Sequence, residues 1–332
     1  MGKQLSTDTK EQTLFNQCPD VLAELLKDHT TGRNIFWATD NYAAMGEGYG
    51  FHDEITIERI TGSHAEVIRP RALKSKAEQK GRTKDMAEVF TPTWVCNRQA
   101  NLLDEAWFGR PNVFNVEDYA TKTWQTICDP ITFPPGKTWR DYVHQTCMEI
   151  TCGEAPYLAS RYDAVDGHAI PIADRIGLLD RKLRVVSENA SQSAEWLSMA
   201  QEAYKNTLGF EWQGDSLLLA REAPLVSFIE YYEAQFGRWP MHRSIRYIAY
   251  IIAWNIFQMD GLRGVVPCSC RDMEEPPDLF GESKTKPCEG CQQGGYRNHN
   301  GTYCLLRNWG ARDPRTGKHN PKIRFVDLIH TV

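Results

Sequence analysis

The sequence predicts an α/β protein in which a mostly parallel sheet carries helices on both faces. Three observations predict it. A short apolar approach ends in a small-residue turn at Cys152-Gly153, the form of a strand that hands the chain to a helix. Gly209-Phe210-Glu211 and Asn255-Ile256-Phe257-Gln258-Met259-Asp260 both read as a strand followed by an acidic residue. Between them, residues 172–206 carry Ile176, Leu179 and Leu183 on one helical stripe, and Leu217-Leu218-Leu219 continues a second helix after Gly214-Asp215.

The elements follow in chain order. After a polar start, residues 20–27 form an amphipathic helix, and Gly32 to Tyr42 contains a short apolar strand. Residues 66–85 are rich in Arg and Lys and are the best basic patch, either a solvated face or a phosphate-contacting stretch. From Pro92 to Trp107 the spacing predicts a helix, with Trp94, Val95, Leu102, Leu103 and Trp107 on one face. Thr91 is placed to cap it and Pro92 suits its first turn. Pro130, Pro134, Pro135 and Gly136 break residues 129–139 into a loop. The aromatic run Tyr231 to Phe236 reads as core packing, and Ile245 to Phe257 suits either helix or buried strand. The expected organisation is a mixed, mostly helical region over 1–85, a ligand-binding core over 86–265, and a Cys-rich segment with a final strand over 266–332.

Composition narrows the function classes. At 41% hydrophobic and 24% charged residues the chain belongs with folded proteins rather than disordered ones. Its net charge of −5 lacks the basic surplus of a dedicated nucleic-acid binder, so DNA contact has to come from a local patch or a partner. No apolar run spans a bilayer, and no signal-peptide core follows the polar start, so the expectation is a cytoplasmic protein with no membrane partner.

Ten cysteines are unevenly spread, with Cys268, Cys270, Cys288, Cys291 and Cys304 crowded into one segment. Without a secretion signal, such a cluster points to a metal. Cys268, Cys270, Cys288 and Cys291 are the expected ligands of a tetrahedral zinc, with Cys304 and His299 nearby as alternates. The role is structural, because nothing suggests the open coordination position and general base of a catalytic zinc.

Glu88-Val89-Phe90-Thr91-Pro92-Thr93-Trp94 resembles the VFTP element of DNA adenine-N6 methyltransferases. Met148-Glu149-Ile150-Thr151-Cys152-Gly153-Glu154-Ala155-Pro156 is similar to their first S-adenosylmethionine motif, Gly209-Phe210-Glu211 to the second, and Asn255 to Leu262 to the third. The phrases Cys152 to Asp163, Arg175 to Asn189 and Gly209 to Arg221 look like the subunit M proteins of bacterial restriction-modification systems. The resemblance covers most of residues 85–265. It implies a Rossmann-like methyltransferase core that binds S-adenosylmethionine through Phe90, Thr91, Pro92, Glu149, Cys152, Gly153, Glu211 and Asp260.

The chemistry suits those positions. Thr91 and the start of its helix can meet the methionine carboxylate. Gly153 lets backbone come close, and Glu149 can orient the amino group. Glu211 can take the ribose hydroxyls, and Asp260 can accept from the adenine amino group. Singly, each also fits a structural role: Thr91-Pro92 a helix start, Glu211 a helix cap, Asp260 a turn before Gly261.

The resembled enzymes carry an (Asn/Asp/Ser)-Pro-Pro-aromatic tetrapeptide that holds a flipped base for methyl transfer. Asp129-Pro130-Ile131-Thr132 and Glu154-Ala155-Pro156-Tyr157 are only echoes of it, so no catalytic residue is assigned. Ile323 to Ile329 comes near the place where the catalytic strand should begin. The chain therefore reads as the cofactor-binding part of a split enzyme, with a second protein subunit supplying the tetrapeptide and with DNA reached indirectly or through that partner. A catalytically inactive interaction or regulatory protein of phage defence, and a truncated product, are the alternatives.

Overall fold

Cys147–Ile150, Thr207–Glu211 and Ile256–Gln258 pair in parallel, and their order in the chain is their order in space. The computed structural model describes residues 11–86, 91–274 and 285–329. Parallel neighbours need long crossovers. Here each crossover is a pair of helices, Leu178–Asn189 with Ser193–Lys205, then Gly214–Phe236 with His242–Asn255. Their apolar stripes close the main core, in which Leu183, Trp196, Leu217, Phe228 and Ile252 are fully or almost fully buried. Ile245 to Phe257 thus resolves into a helix that yields to a strand only at Ile256.

The other face of the sheet departs from expectation. Side chains alternate along a strand, so Leu208, Phe210 and Phe257 point away from the helices. They pack on Val266, Cys304, Leu306 and Phe325 from the C-terminal segment. Helices therefore cover one face, and the Cys-rich segment with its hairpin covers the other. The final strand is corrected as well. Lys322–Arg324 pairs antiparallel with Leu305–Arg307, outside the parallel sheet.

Residues before 85 do not form a separate core. Leu22, Leu25, Ile35 and Trp37 are buried in the main core with the crossover helices. Phe36 exchanges main-chain hydrogen bonds with the Gln258 side chain (3.0 and 2.8 Å), and Gly214 donates to the Trp37 carbonyl (3.0 Å). The N-terminal segment is thereby stitched to the carboxyl ends of the middle and last strands. Two cations of the basic stretch turn inward, while Lys76, Lys80 and Lys84 stay exposed. Arg82 pairs with buried Asp215 at 2.8 Å and Lys74 lies 3.7 Å from the same carboxylate, whose pKa their charges hold down at about 2 against the cost of burial.

The helix expected after Pro92 spans Thr93–Phe108, with Pro92 as its N-cap. Thr91 does not cap it; the Asp163 carboxylate accepts from the Thr93 N–H at 3.3 Å instead. Its buried face is also different. Asn97 and Asp104 turn inward to buried Arg181, and Asn101 reaches it from the margin, which leaves Leu102 and Leu103 exposed. A polar network took the inside because a buried guanidinium has to be paired, and both terminal nitrogens of Arg181 are. Among the described residues, no helix is long and apolar enough to cross a membrane.

Candidate functional site

The carboxyl ends of the first and middle strands open into a cleft of about 1220 Å³. Thr91, Glu149, Cys152, Gly153 and Glu211 line it, so three segments far apart in sequence meet at one place. This is where ligands bind in open parallel sheets. Pro92 and Asp260 are not among the lining residues, and Phe90 lies outside the described residues.

The turn at Cys152-Gly153 is built differently from the expected strand-to-helix elbow. Thr151, Gly153 and Ala155 all hold positive φ, at 45°, 53° and 61°. Successive turns follow, and no helix begins before Ile172. A β-branched residue in this region is strained by about 1–2 kcal/mol. The strain is held by the two N–H groups that follow, both bonded to the middle strand: the Cys152 N–H donates to the Phe210 carbonyl (2.8 Å) and the Gly153 N–H to the Glu211 carboxylate (2.9 Å).

The two acids sit side by side and play different parts. Glu211 closes the middle strand and accepts from Gly153, Trp212 and Gln213 main-chain N–H groups. Burial raises its pKa, partly offset by those donors. Glu149 is buried, accepts weakly from the Tyr157 N–H (3.3 Å), and has a second oxygen with no hydrogen-bond partner. Burial pushes its carboxyl well above the ordinary range. An orphaned buried oxygen on a cleft wall is costly unless a ligand donates to it.

Asp260 proves to be a turn residue. Its carboxylate accepts from the Leu262 N–H (3.0 Å) and pairs with Arg263 (3.3 Å). The last strand instead ends at Gln258, whose amide also donates to the Trp212 carbonyl (2.8 Å). Phe51 and Trp212 join the cleft as flat aromatic walls, with Lys84 at its edge. Trp212 directly follows the strand-end acid and was legible by position. Phe51 carries no local signal, because only the stitching of residues 35–38 brings its segment over the sheet.

A second cluster lies in the C-terminal segment. Cys270, Cys288, Cys291 and His299 bring their ligand atoms within 4.8 Å of one another and could hold a metal ion. His299 Nδ1 lies 3.5 Å from Cys270 Sγ and 3.7 Å from both Cys288 Sγ and Cys291 Sγ. His299 Nε2 is 2.8 Å from the Gly295 carbonyl, which fixes the tautomer and leaves Nδ1 as the ligand atom. Gly290 makes this approach possible, since a Cβ there would sit 2.7 Å from Nδ1. Burial pushes the Cys288 thiol up, but main-chain N–H groups of Asn300 and Cys291, with the Cys291 and His299 side chains, outweigh it and lower its pKa.

The expected ligand set is corrected at one position. The chain reverses at Cys268 (φ 55°), which leaves that thiol exposed and outside the group, and His299 takes the fourth place. Cys304 is not a ligand either: it is buried in the second core and its thiol donates to the Gln258 carbonyl at 3.3 Å. Comparison with family models, curated proteins and solved structures finds no match for this chain.

Proposed function

We propose that this chain is the S-adenosylmethionine-binding part of a DNA adenine-N6 methyltransferase of the restriction-modification type. One observation carries the reading. Thr91, Glu149, Cys152, Gly153 and Glu211, chosen from three separate motifs, line a single cleft at the carboxyl edge of a parallel sheet. The residues suit the cofactor: the unpartnered Glu149 oxygen can accept from its ammonium, Glu211 from its ribose hydroxyls, and the walls of Phe51 and Trp212 can flank its adenine. The cofactor would supply the methyl group. No tetrapeptide that holds a target base is present in these 332 residues. We assign that task to a partner chain, which the exposed Ile150, Leu102 and Leu103, all on the wall of the same cleft, would meet.

Zinc is the metal assigned to the second cluster. Zinc–sulfur and zinc–nitrogen bonds of usual length predict nitrogen-to-sulfur edges of about 3.6 Å in a tetrahedron. The His299 distances of 3.5 to 3.7 Å fit it. Its role is structural, since three thiolates and one imidazole complete the shell.

Calorimetric titration with S-adenosylmethionine tests the first reading; absence of binding to the purified chain, with or without a partner, would overturn it. Methyl incorporation into DNA is expected only when a chain carrying Asn-Pro-Pro-Tyr is added. Glu149→Gln separates binding from folding. The raised folded pKa of Glu149 means that its favourable contribution is whole below the unfolded value, about pH 4, and is lost as pH rises toward the folded value. The variant should therefore melt higher than the native chain at neutral pH, yet bind the cofactor at least about tenfold more weakly, a loss of about 1.4 kcal/mol. Weaker binding with a lower melting temperature would make Glu149 a structural residue.

A further inference from the structure

The basic stretch that looked best in sequence has Arg82 and Lys74 folded inward, and a different surface takes its place. Residues 305–324 hold Arg307, Arg312, Arg315, Lys318, Lys322 and Arg324 against Asp313 alone, in a chain whose net charge is −5. They form one hairpin. Leu305–Arg307 pairs with Lys322–Arg324, and Arg312 bridges to His319 nearer the tip. Register places Arg307 directly opposite Lys322, and Leu305 opposite Arg324. Leu306 and Ile323 alternate to the other face and pack in the second core. Like charges directly opposite on a ribbon are destabilising, so this pairing asks for counter-charge from outside.

Two of the paired-strand cations are held without being neutralised. The Arg307 guanidinium lies 4.7 Å from the centre of the Trp254 ring, and the Lys322 ammonium 5.1 Å from the same ring. Arg324 lies 5.1 Å over Tyr303 and pairs with Asp327. Aromatic faces orient a cation while leaving its charge in place. Arg312, Arg315, Lys318 and Lys322 are exposed, and among the described residues Arg307, Arg315 and Lys322 have no acidic partner. We infer that this hairpin is a phosphate-binding ribbon by which the chain itself grips the nucleic-acid backbone. A two-stranded ribbon matches the width of a DNA groove, and unneutralised cations displace the condensed counterions of phosphates. The choice of double-stranded DNA among polyanions rests on the methyltransferase reading.

The experiment is fluorescence anisotropy of a labelled DNA duplex titrated with the full, metal-loaded chain over a series of salt concentrations. Native protein should bind at low salt with affinity falling linearly on a log–log plot. The variant Arg315→Gln/Lys318→Gln/Lys322→Gln should bind at least about tenfold more weakly, with a slope shallower by about 0.9 for each phosphate that is no longer neutralised. Lys76→Gln/Lys80→Gln, on the exposed side of the earlier basic stretch, should leave both quantities unchanged. Unaltered melting of the triple variant excludes unfolding as the cause. No binding by the native chain, an unchanged slope in the triple variant, or tighter binding to phosphatidylserine vesicles than to DNA would each overturn the proposal. Cofactor titration is a separate readout. Cofactor binding without DNA binding sinks the ribbon alone, and DNA binding without cofactor binding sinks the methyltransferase reading alone.

Discussion

Chelation of zinc at the proposed site is expected to open the C-terminal segment while the helical core survives. A structural zinc site is worth about 10 kcal/mol or more, comparable to the whole stability of a typical domain. The second core that it supports is small, with Val266, Cys304, Leu306 and Phe325 set on Phe210 and Phe257. Hydrogen exchange should therefore rise over residues 266–274 and 285–329 on chelation and stay slow in Leu217 to Ile229. Ligand identity is tested in the same assay. Cys288→Ser should reduce bound metal well below one equivalent, whereas Cys268→Ser should leave it intact, because Cys268 lies outside the cluster. Gly290→Ala should weaken metal binding about 10- to 100-fold, as losses around a metal's ligands typically do, since its Cβ would press on the Arg297 carbonyl at 2.5 Å and on His299 Nδ1. Metal analysis near zero, with no change in exchange on chelation, would remove the site.

Arg221→Met is expected to cost more than any other single change in the helical core. The guanidinium is fully buried and donates to main-chain carbonyls of Ile256 (2.7 Å), Leu25 (2.5 Å), Lys27 (2.9 Å) and Ala253 (3.2 Å). Burial pushes its pKa down to about 10, so it stays charged at neutral pH. Its removal orphans carbonyls on the last strand, the preceding helix and the N-terminal segment together. At about 1–3 kcal/mol for each unsatisfied group, a loss of about 4 kcal/mol is expected, read as a fall in melting temperature of about 6 °C. Arg221→Lys should fall between, since a single ammonium cannot reproduce the planar fork. An unchanged melting temperature in Arg221→Met would show that the N-terminal segment is held by its apolar packing alone.

Local pattern carried much of this protein. The stripe of Leu179 and Leu183 required a helix, and Gly209-Phe210-Glu211 required a strand that ends in an acid; both are present. The thiols of Cys270, Cys288 and Cys291 were legible from crowding alone. Other features depended on partners far along the chain. Leu102 and Leu103 look like core residues until Arg181 claims the opposite side of their helix. Within the basic run at 66–85, Asp215 draws Arg82 and Lys74 inside and leaves Lys76, Lys80 and Lys84 at the surface. His299 reaches the cysteines only because the chain turns back at Gly294 and Gly295.

The sequence by itself determined the helices of the first crossover and the start of the second, the acids that close on the cleft and three of the four side chains in the cluster that could hold a metal. These follow from spacing within a few residues, where periodicity and turn chemistry decide. Only the tertiary structure decided which face of the sheet the C-terminal segment covers, which basic stretch stays exposed, that Asp260 serves a turn, and that Glu149 keeps an unsatisfied buried oxygen. Those are questions of which charges and polar atoms can be satisfied once the chain is packed, and burial settles them only when distant segments meet.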